Sequence, residues 1–243
     1  MSLPRFFCEA PLSAGARLLL PAALAHHAVR VLRLRDGAQI VLFDGRGGEY
    51  PATLHTEGKD AWALLGAHNP REAELAGRVV LVQGLPASDK MDWVVEKAVE
   101  LGACRVSPIA AQRSVLQLSG ARLEKRLAHW ARVAQAASEQ CGRNRVMAVD
   151  APTDLRTWLE QPCDGVRLLC HPEAVPSLPE ALAGHTGLEQ VSLLVGPEGG
   201  WSDEELELAA HHNVLAVRYG PRVLRTETAG LALIAATTAL LGW

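Results

Sequence analysis

The stretch LLVGPEGGWSDEELELAAHH, Leu193–His212, decides the fold. An apolar run enters a Gly-Pro-Glu-Gly-Gly turn and a helix follows at once. Ser202 stands at the N-cap with Glu205 three residues on, the spacing of a capping box, and Trp201 and Leu206 occupy the flanking staple positions. The segment therefore reads as a buried strand delivering the chain through a tight loop into a well-capped helix. In open α/β sheets ligands gather at the carboxyl ends of the strands, where this loop sits. A bare glycine turn at a helix start would suit phosphate, but the Glu198 carboxylate would repel it. A ligand with positive or hydrogen-bond-donating parts is the better match, and a capped turn with no ligand stays open. Gly-x-Gly-x-x-Gly and the Gly-x-x-x-x-Gly-Lys-Ser/Thr loop are absent, which removes the dinucleotide and P-loop fingerprints. His-Glu-x-x-His and Gly-x-Ser-x-Gly are absent too.

Outward from this stretch the chain has two organisations. From Arg78 onward strands alternate with helices: Val79–Leu85, Arg105–Ile109, Val146–Val149, Val166–Cys170, Val191–Val195 and Val214–Arg218 as strands; Asp89–Leu101, Arg122–Cys141, Thr153–Glu160, Ser177–Leu182, Asp203–His211 and the chain from Thr226 as helices. This alternation predicts an α/β domain whose parallel sheet is covered on both faces. Before residue 72 the segments are short and strand-like, Arg17–Leu20, Ala38–Phe43, Glu49–His55 and Ala61–Gly66, separated by turns. One helix interrupts them, opening at Pro21 with Leu24, Ala28, Val31 and Leu32 on one face. Residues 1–72 therefore read as a small β-barrel and 73–243 as the α/β domain, with the turn-prone Asn69–Gly77 between them.

The chain has 243 residues, 49% hydrophobic and 21% charged, with a net charge of -3. That composition supports a packed core. The five cysteines are scattered without Cys-x-x-Cys, so neither a disulfide framework nor a zinc site is indicated, and no pair of histidines has metal-ligand spacing. The start lacks the apolar core of a signal peptide and the longest apolar run, Ala229–Leu241, is too short to span a bilayer, so a cytoplasmic location is expected, without metal or membrane. The near-neutral total hides an asymmetry: 105–145 carries eight basic residues against two acidic, 146–216 two against twelve, and 1–46 six against three. Two basic regions of this kind can form an anion-binding surface or merely a solvated face.

A second stretch, YGPRVLRTETAGLALIAA (Tyr219–Ala236), follows the last strand. Arg222 and Arg225 flank two apolar residues in a loop at a strand's carboxyl end. Their guanidiniums suit an anion or a polarised carbonyl, unless Arg225 pairs with Glu227.

GPEGGWSDEE and YGPRVLRTETAG, together with PRFF at Pro4–Phe7, KMDWVVEKAVELG at Lys90–Gly102 and EQCGRNR at Glu139–Arg145, resemble the small-subunit rRNA uridine N3-methyltransferases of the SPOUT class. The matches cover nearly the whole chain in order; Trp201 and Gly230 depart, standing where a smaller apolar residue and Thr or Ala are expected. The resemblance implies a PUA-like barrel at 1–72, a methyltransferase domain at 73–243 with a trefoil knot, S-adenosylmethionine as cofactor, 16S rRNA as substrate, and a homodimer through the C-terminal helix and the 89–101 helix. It implies cofactor contacts from Leu169, Cys170 and His171, from Val195, Gly196, Gly199 and Gly200, and from Tyr219, Gly220, Pro221, Val223 and Leu224. Attack by N3 requires loss of its proton, so Arg225 is expected to stabilise charge on the uracil oxygens and Glu198 to accept the proton. Arg5, Arg30, Arg33, Arg143 and Arg145 are expected to meet rRNA phosphates and Asn144 a base. An rRNA-binding assembly protein without catalysis, and a ribose 2′-O-methyltransferase of the same class, remain alternatives.

Overall fold

The computed structural model describes residues 3–243 apart from Lys59, Ser88, Gln117 and Thr186. Its contacts divide the chain into two units, residues 1–74 with 138–146, and residues 75–137 with 147–243. The sequence suggested two continuous pieces; the segment 138–146 instead groups with the first unit.

In the first unit β1 (Arg5–Phe7), β2 (Arg17–Leu19), β3 (Gln39–Phe43), β4 (Tyr50–Glu57) and β5 (Asp60–Leu65) form one sheet in the order β1-β3-β4-β5-β2. Alternate residues of β4 and β5 (Ala52, Leu54, Ala61, Ala63, Leu65) join Phe6, Leu20, Leu24, Ala28, Ile40 and Leu42 in a single buried cluster. The helix expected after Pro21 is short. α1 (Ala22–His26) widens into a π-helical turn over His27–Val31, and Arg33 adopts a left-handed conformation (φ 54°). The widened turn shifts the register. Leu24 and Ala28 stay buried, whereas Val31 and Leu32, expected on the same apolar face, are exposed.

The segment 138–146 is pinned by its polar residues. The Phe7 N–H donates to Glu139 Oε1 at 2.9 Å, and Arg5 donates to Asn144 Oδ1. Asn144 Nδ2 donates to the Arg71 carbonyl at 2.6 Å. Arg143 reaches Glu74 through Nε at 3.0 Å and Nη2 at 2.5 Å. Arg5 also donates to Glu49 at 2.5 Å. Burial acts to raise the Glu49 pKa, but the bond and charge of Arg5, with Arg71 and Asn144, bring it below the usual carboxylate value. A depressed carboxylate adds stability above its unfolded pKa and loses it as pH falls through the folded one. Arg5→Ala should therefore cost about 3 kcal/mol of unfolding free energy at neutral pH, as for breaking a buried pair. Urea melts should show that penalty shrinking once the medium is acid enough to protonate Glu49.

The second unit holds a six-stranded parallel sheet in the order β11-β9-β10-β6-β7-β8. Its strands are β6 (Arg78–Gly84), β7 (Arg105–Ile109), β8 (Ala148–Val149), β9 (Val166–Cys170), β10 (Gln190–Val195) and β11 (Leu215–Val217); the helices are α2 (Lys90–Glu100), α3 (Gly120–Cys141, whose residues from Ser138 belong to the first unit), α4 (Leu155–Leu159), α5 (Leu178–Ala183), α6 (Asp203–His211) and α7 (Thr226–Leu241). The central strands are buried on both faces, mostly by Val and Leu. Trp201 is buried in the cluster of Val80, Ile109, Trp158 and Leu194. Gly230 lies against Leu81 and Gln83, where an added Cβ would stand 3.0–3.1 Å away. All five cysteines are free thiols. Among the described residues no helix is long and apolar enough to cross a membrane, and no group of three or more His, Cys, Asp or Glu is placed to hold a metal ion.

Candidate active site

The carboxyl ends of β9, β10 and β11, adjacent in the sheet, open into a cavity of about 490 Å³. The Gly-Pro-Glu-Gly-Gly turn forms one wall, closed by Gly200 N–H donating to the Pro197 carbonyl at 2.9 Å. Gly200 sits at φ 68°, which favours glycine. The capping box forms as read: Glu205 N–H donates to Ser202 Oγ at 3.1 Å and Ser202 N–H to Glu205 Oε2 at 2.9 Å. The other oxygen of the buried Glu205 accepts from Gln112 N–H at 3.0 Å, tying α6 to the loop after β7.

The loop is held from three more directions. Arg113 Nη1 donates to the carbonyls of Gly199 (3.2 Å) and Trp201 (3.1 Å). Thr226 Oγ1 donates to the Gly196 carbonyl at 2.5 Å and accepts from the buried Gln83 Nε2 at 2.8 Å. Glu198 accepts from Ala87 N–H at 3.1 Å and from Lys90 Nζ at 2.9 Å. Lys90 also stands 3.4 Å from Glu227. Burial works to raise the Glu198 pKa, yet the Lys90 hydrogen bond and the backbone N–H groups hold it below the usual carboxylate value. Glu198 is therefore an ionised anchor of its loop, its oxygens turned toward Ala87 N–H and Lys90. Sequence reasoning missed Lys90 and Arg113 as site residues; the signal available was that each lies near the carboxyl end of a neighbouring strand, β6 or β7.

Of the expected cofactor contacts, Cys170, His171, Val195, Gly196, Gly199, Gly200, Tyr219, Gly220, Val223 and Leu224 line the cavity. Leu169 does not: it pairs with Leu194 and Ala216 across the sheet and turns into the apolar cluster. Pro221 also lies outside the lining. Arg222 and Arg225 line the cavity beside Arg113 and Arg218, and among the described residues the guanidiniums of Arg222 and Arg225 make no hydrogen bond or ion pair. Glu227, the alternative partner for Arg225, faces Lys90 instead. The expected RNA-binding residues divide. Arg30, Arg33 and Arg145 are exposed, Arg145 lying 3.8 Å from Glu72. Arg5, Arg143 and Asn144 do not face solvent as expected: Arg143 and Asn144 are 3% and 0% exposed and, with Arg5, spend their polar atoms within the first unit.

A parallel α/β domain with a nucleoside-sized cavity at its strand ends, free guanidiniums in the cavity wall and no phosphate cradle suits a transferase acting on an anionic polymer. Residues 73–238 match the RNA methyltransferase domain and residues 20–61 the PUA domain of RNA methyltransferases. The chain belongs to the family whose curated members are named ribosomal RNA small subunit methyltransferase E. The Bacillus subtilis member is 33% identical over 218 residues, covering 87% of this chain and 85% of that protein. The Mycobacterium tuberculosis member is 31% identical over 240 residues, covering 97% and 91%. Among solved structures, the Neisseria gonorrhoeae ribosomal RNA small subunit methyltransferase E bound to S-adenosyl methionine superposes with a TM-score of 0.89 at 34% identity, covering 98% of both chains. A protein from Legionella pneumophila in complex with the bound cofactor SAM superposes at 0.92 with 27% identity, again covering 98% of both.

Proposed function

We propose that this protein transfers a methyl group from S-adenosylmethionine to N3 of a uridine in 16S rRNA. The observation that carries the reading is the juxtaposition of a pinned glycine turn with the unpaired Arg225 in one cavity. The cavity has the volume and mixed apolar and backbone wall that a nucleoside cofactor needs. Val195, Gly196, Gly200 and Leu224 would hold it. When bound, the cofactor supplies an electrophilic methyl on a sulfonium, whose positive charge is compatible with the nearby Glu198. Arg225 would contact the uracil oxygens as negative charge develops there. N3 lies on the pairing edge of the base, so the uridine must enter the cavity unpaired or flipped. A calorimetric titration with S-adenosylmethionine tests the enzyme reading first. Saturable one-site binding is expected, and no binding would favour an assembly protein that only holds rRNA.

Exposed Arg30, Arg33 and Arg145 are the proposed phosphate contacts. Changing each to Gln should lower the salt slope of rRNA binding by roughly 1. Arg143→Gln should lower stability and leave that slope unchanged, because its guanidinium is committed to Glu74. Filter binding across a salt series separates the two groups.

The protein is also proposed to be a cytoplasmic homodimer with a knotted carboxyl-terminal passage. On α7, one of the two helices expected at the subunit interface, Leu233 and Ile234 are wholly buried within the chain itself. Trp93 on α2 and Leu240 on α7 remain 52% and 48% exposed and are the better contacts. Light scattering should give twice the chain mass at micromolar concentration; a monomer there would refute the dimer.

A further inference from the structure

The acid–base groups that face the cavity are few, and the fold has committed them. Glu198 is engaged by Ala87 N–H and Lys90, with Glu227 behind it on the same lysine. The Cys170 thiol is held protonated, its pKa pushed up by burial. His171 Nδ1 accepts from Glu173 N–H at 3.3 Å. Tyr219 brings a hydroxyl at the exposed rim. Thus Glu198 is the one carboxylate among the described residues that line the cavity, and its oxygens are turned toward Ala87 N–H and Lys90 Nζ. The cations are in excess. Arg113 is committed to the carbonyls of Gly199 and Trp201, whereas Arg218 makes no side-chain hydrogen bond or ion pair among the described residues. Arg222 and Arg225, three residues apart at the cavity wall, have no partner among the described residues.

We propose that the uridine N3 proton leaves to solvent rather than to a protein base, and that Arg222 and Arg225 together hold the uracil anion that results. The inference rests on the uridine-N3 reading above. The N3–H bond breaks with its electron pair staying on the ring, and water takes the proton. The negative charge spreads over N3, O2 and O4, within reach of two planar guanidiniums. The N3 pair then bonds to the methyl carbon as the carbon–sulfur bond breaks, and that pair returns to sulfur as a neutral thioether. Both arginines are exposed in the free protein, where solvent weakens them. A base filling the cavity displaces that water and strengthens their field. An opposite charge within a few ångströms lowers an acid's pKa by about 1–3 units, so the acidity of N3 rises only in the bound state.

The test uses an rRNA fragment carrying 5-fluorouridine at the methylated position, bound to the protein with S-adenosylhomocysteine, which has no methyl to give. The ¹⁹F shift then reports N3 ionisation directly. Its midpoint should lie about 1 pH unit or more below that of the same RNA free. Arg222→Gln should move the midpoint back toward the free value. In the methylating enzyme the same variant should lose rate at neutral pH and recover it at alkaline pH, which a merely structural role would not produce. The acid side of the wild-type pH–rate curve should move to lower pH when 5-fluorouridine replaces uridine. An unshifted ¹⁹F midpoint, or identical pH–rate curves for the two substrates, would mean that a protein group takes the proton and would overturn the proposal. Nucleoside analysis of the product separates that result from failure of the N3 reading, which would show no 3-methyluridine at all.

Discussion

Arg225→Ala is expected to lower methyl transfer by on the order of 100-fold, the cost of removing one donor from a developing oxyanion. The residue lines the cavity, has no partner among the described residues, and stands at the N-cap of α7 without a side-chain cap bond. Its guanidinium is therefore available to substrate, and its loss leaves the helix start intact. Arg225→Lys keeps the charge and loses the planar fork, so a large fall is expected there too. Cofactor affinity should change much less, because the loop backbone carries most of that contact. The check is a paired one: calorimetric titration of S-adenosylmethionine beside timed methylation of rRNA. Parallel collapse of both would make Arg225 a clamp of the loop and not a partner of the uracil.

Gly84→Ala is expected to have the second largest effect, from a residue outside the cavity lining. At the end of β6, a Cβ on Gly84 would stand 2.6 Å from both the nitrogen and the Cδ of Pro197, and 2.9 Å from the Gly196 carbonyl carbon. These are backbone and ring atoms with little freedom, and the turn beyond them is pinned by Arg113, Thr226 and Lys90. The turn must shift as a unit. A displacement near 1 Å at a positioned site costs about 100-fold in rate. Here the loss should appear in cofactor binding as well as in turnover, which distinguishes this variant from Arg225→Ala. Circular dichroism should show the fold retained. Unchanged cofactor affinity in Gly84→Ala would mean that the glycine turn does not form the cofactor wall.

The contrast between these two variants shows what the sequence carried. The Gly196–Gly200 turn and the capped α6 were legible because each rests on local chemistry, a permissive glycine and a reciprocal Ser202–Glu205 cap. The parallel sheet was legible from the alternation of strands and helices after Arg78. The place of Arg222 and Arg225 in the loop after the last strand was legible, and that loop lines the cavity. What lay hidden was long-range pairing. Lys90 and Glu198 are 108 positions apart, and Arg5 and Asn144 are 139 apart. Charge alone therefore placed Arg5 and Arg143 on an RNA-facing surface, while burial spends them on Glu49, Asn144 and Glu74. The Lys90 partner of Glu198 was hidden for the same reason: it comes from α2. The π-helical turn after α1 was hidden too, because the apolar spacing that predicts a helix does not reveal a change in its pitch.

The central claim is the position of the methyl group, and one measurement addresses it most directly. Purified protein is incubated with S-adenosylmethionine and small-subunit rRNA prepared without this modification. The RNA is digested to nucleosides and resolved by mass spectrometry against 3-methyluridine and 2′-O-methyluridine standards. One 3-methyluridine per rRNA is expected, absent when Arg225→Ala replaces the wild-type chain over the same time course. A ribose-methylated product, or none from a protein that binds the cofactor, would contradict it.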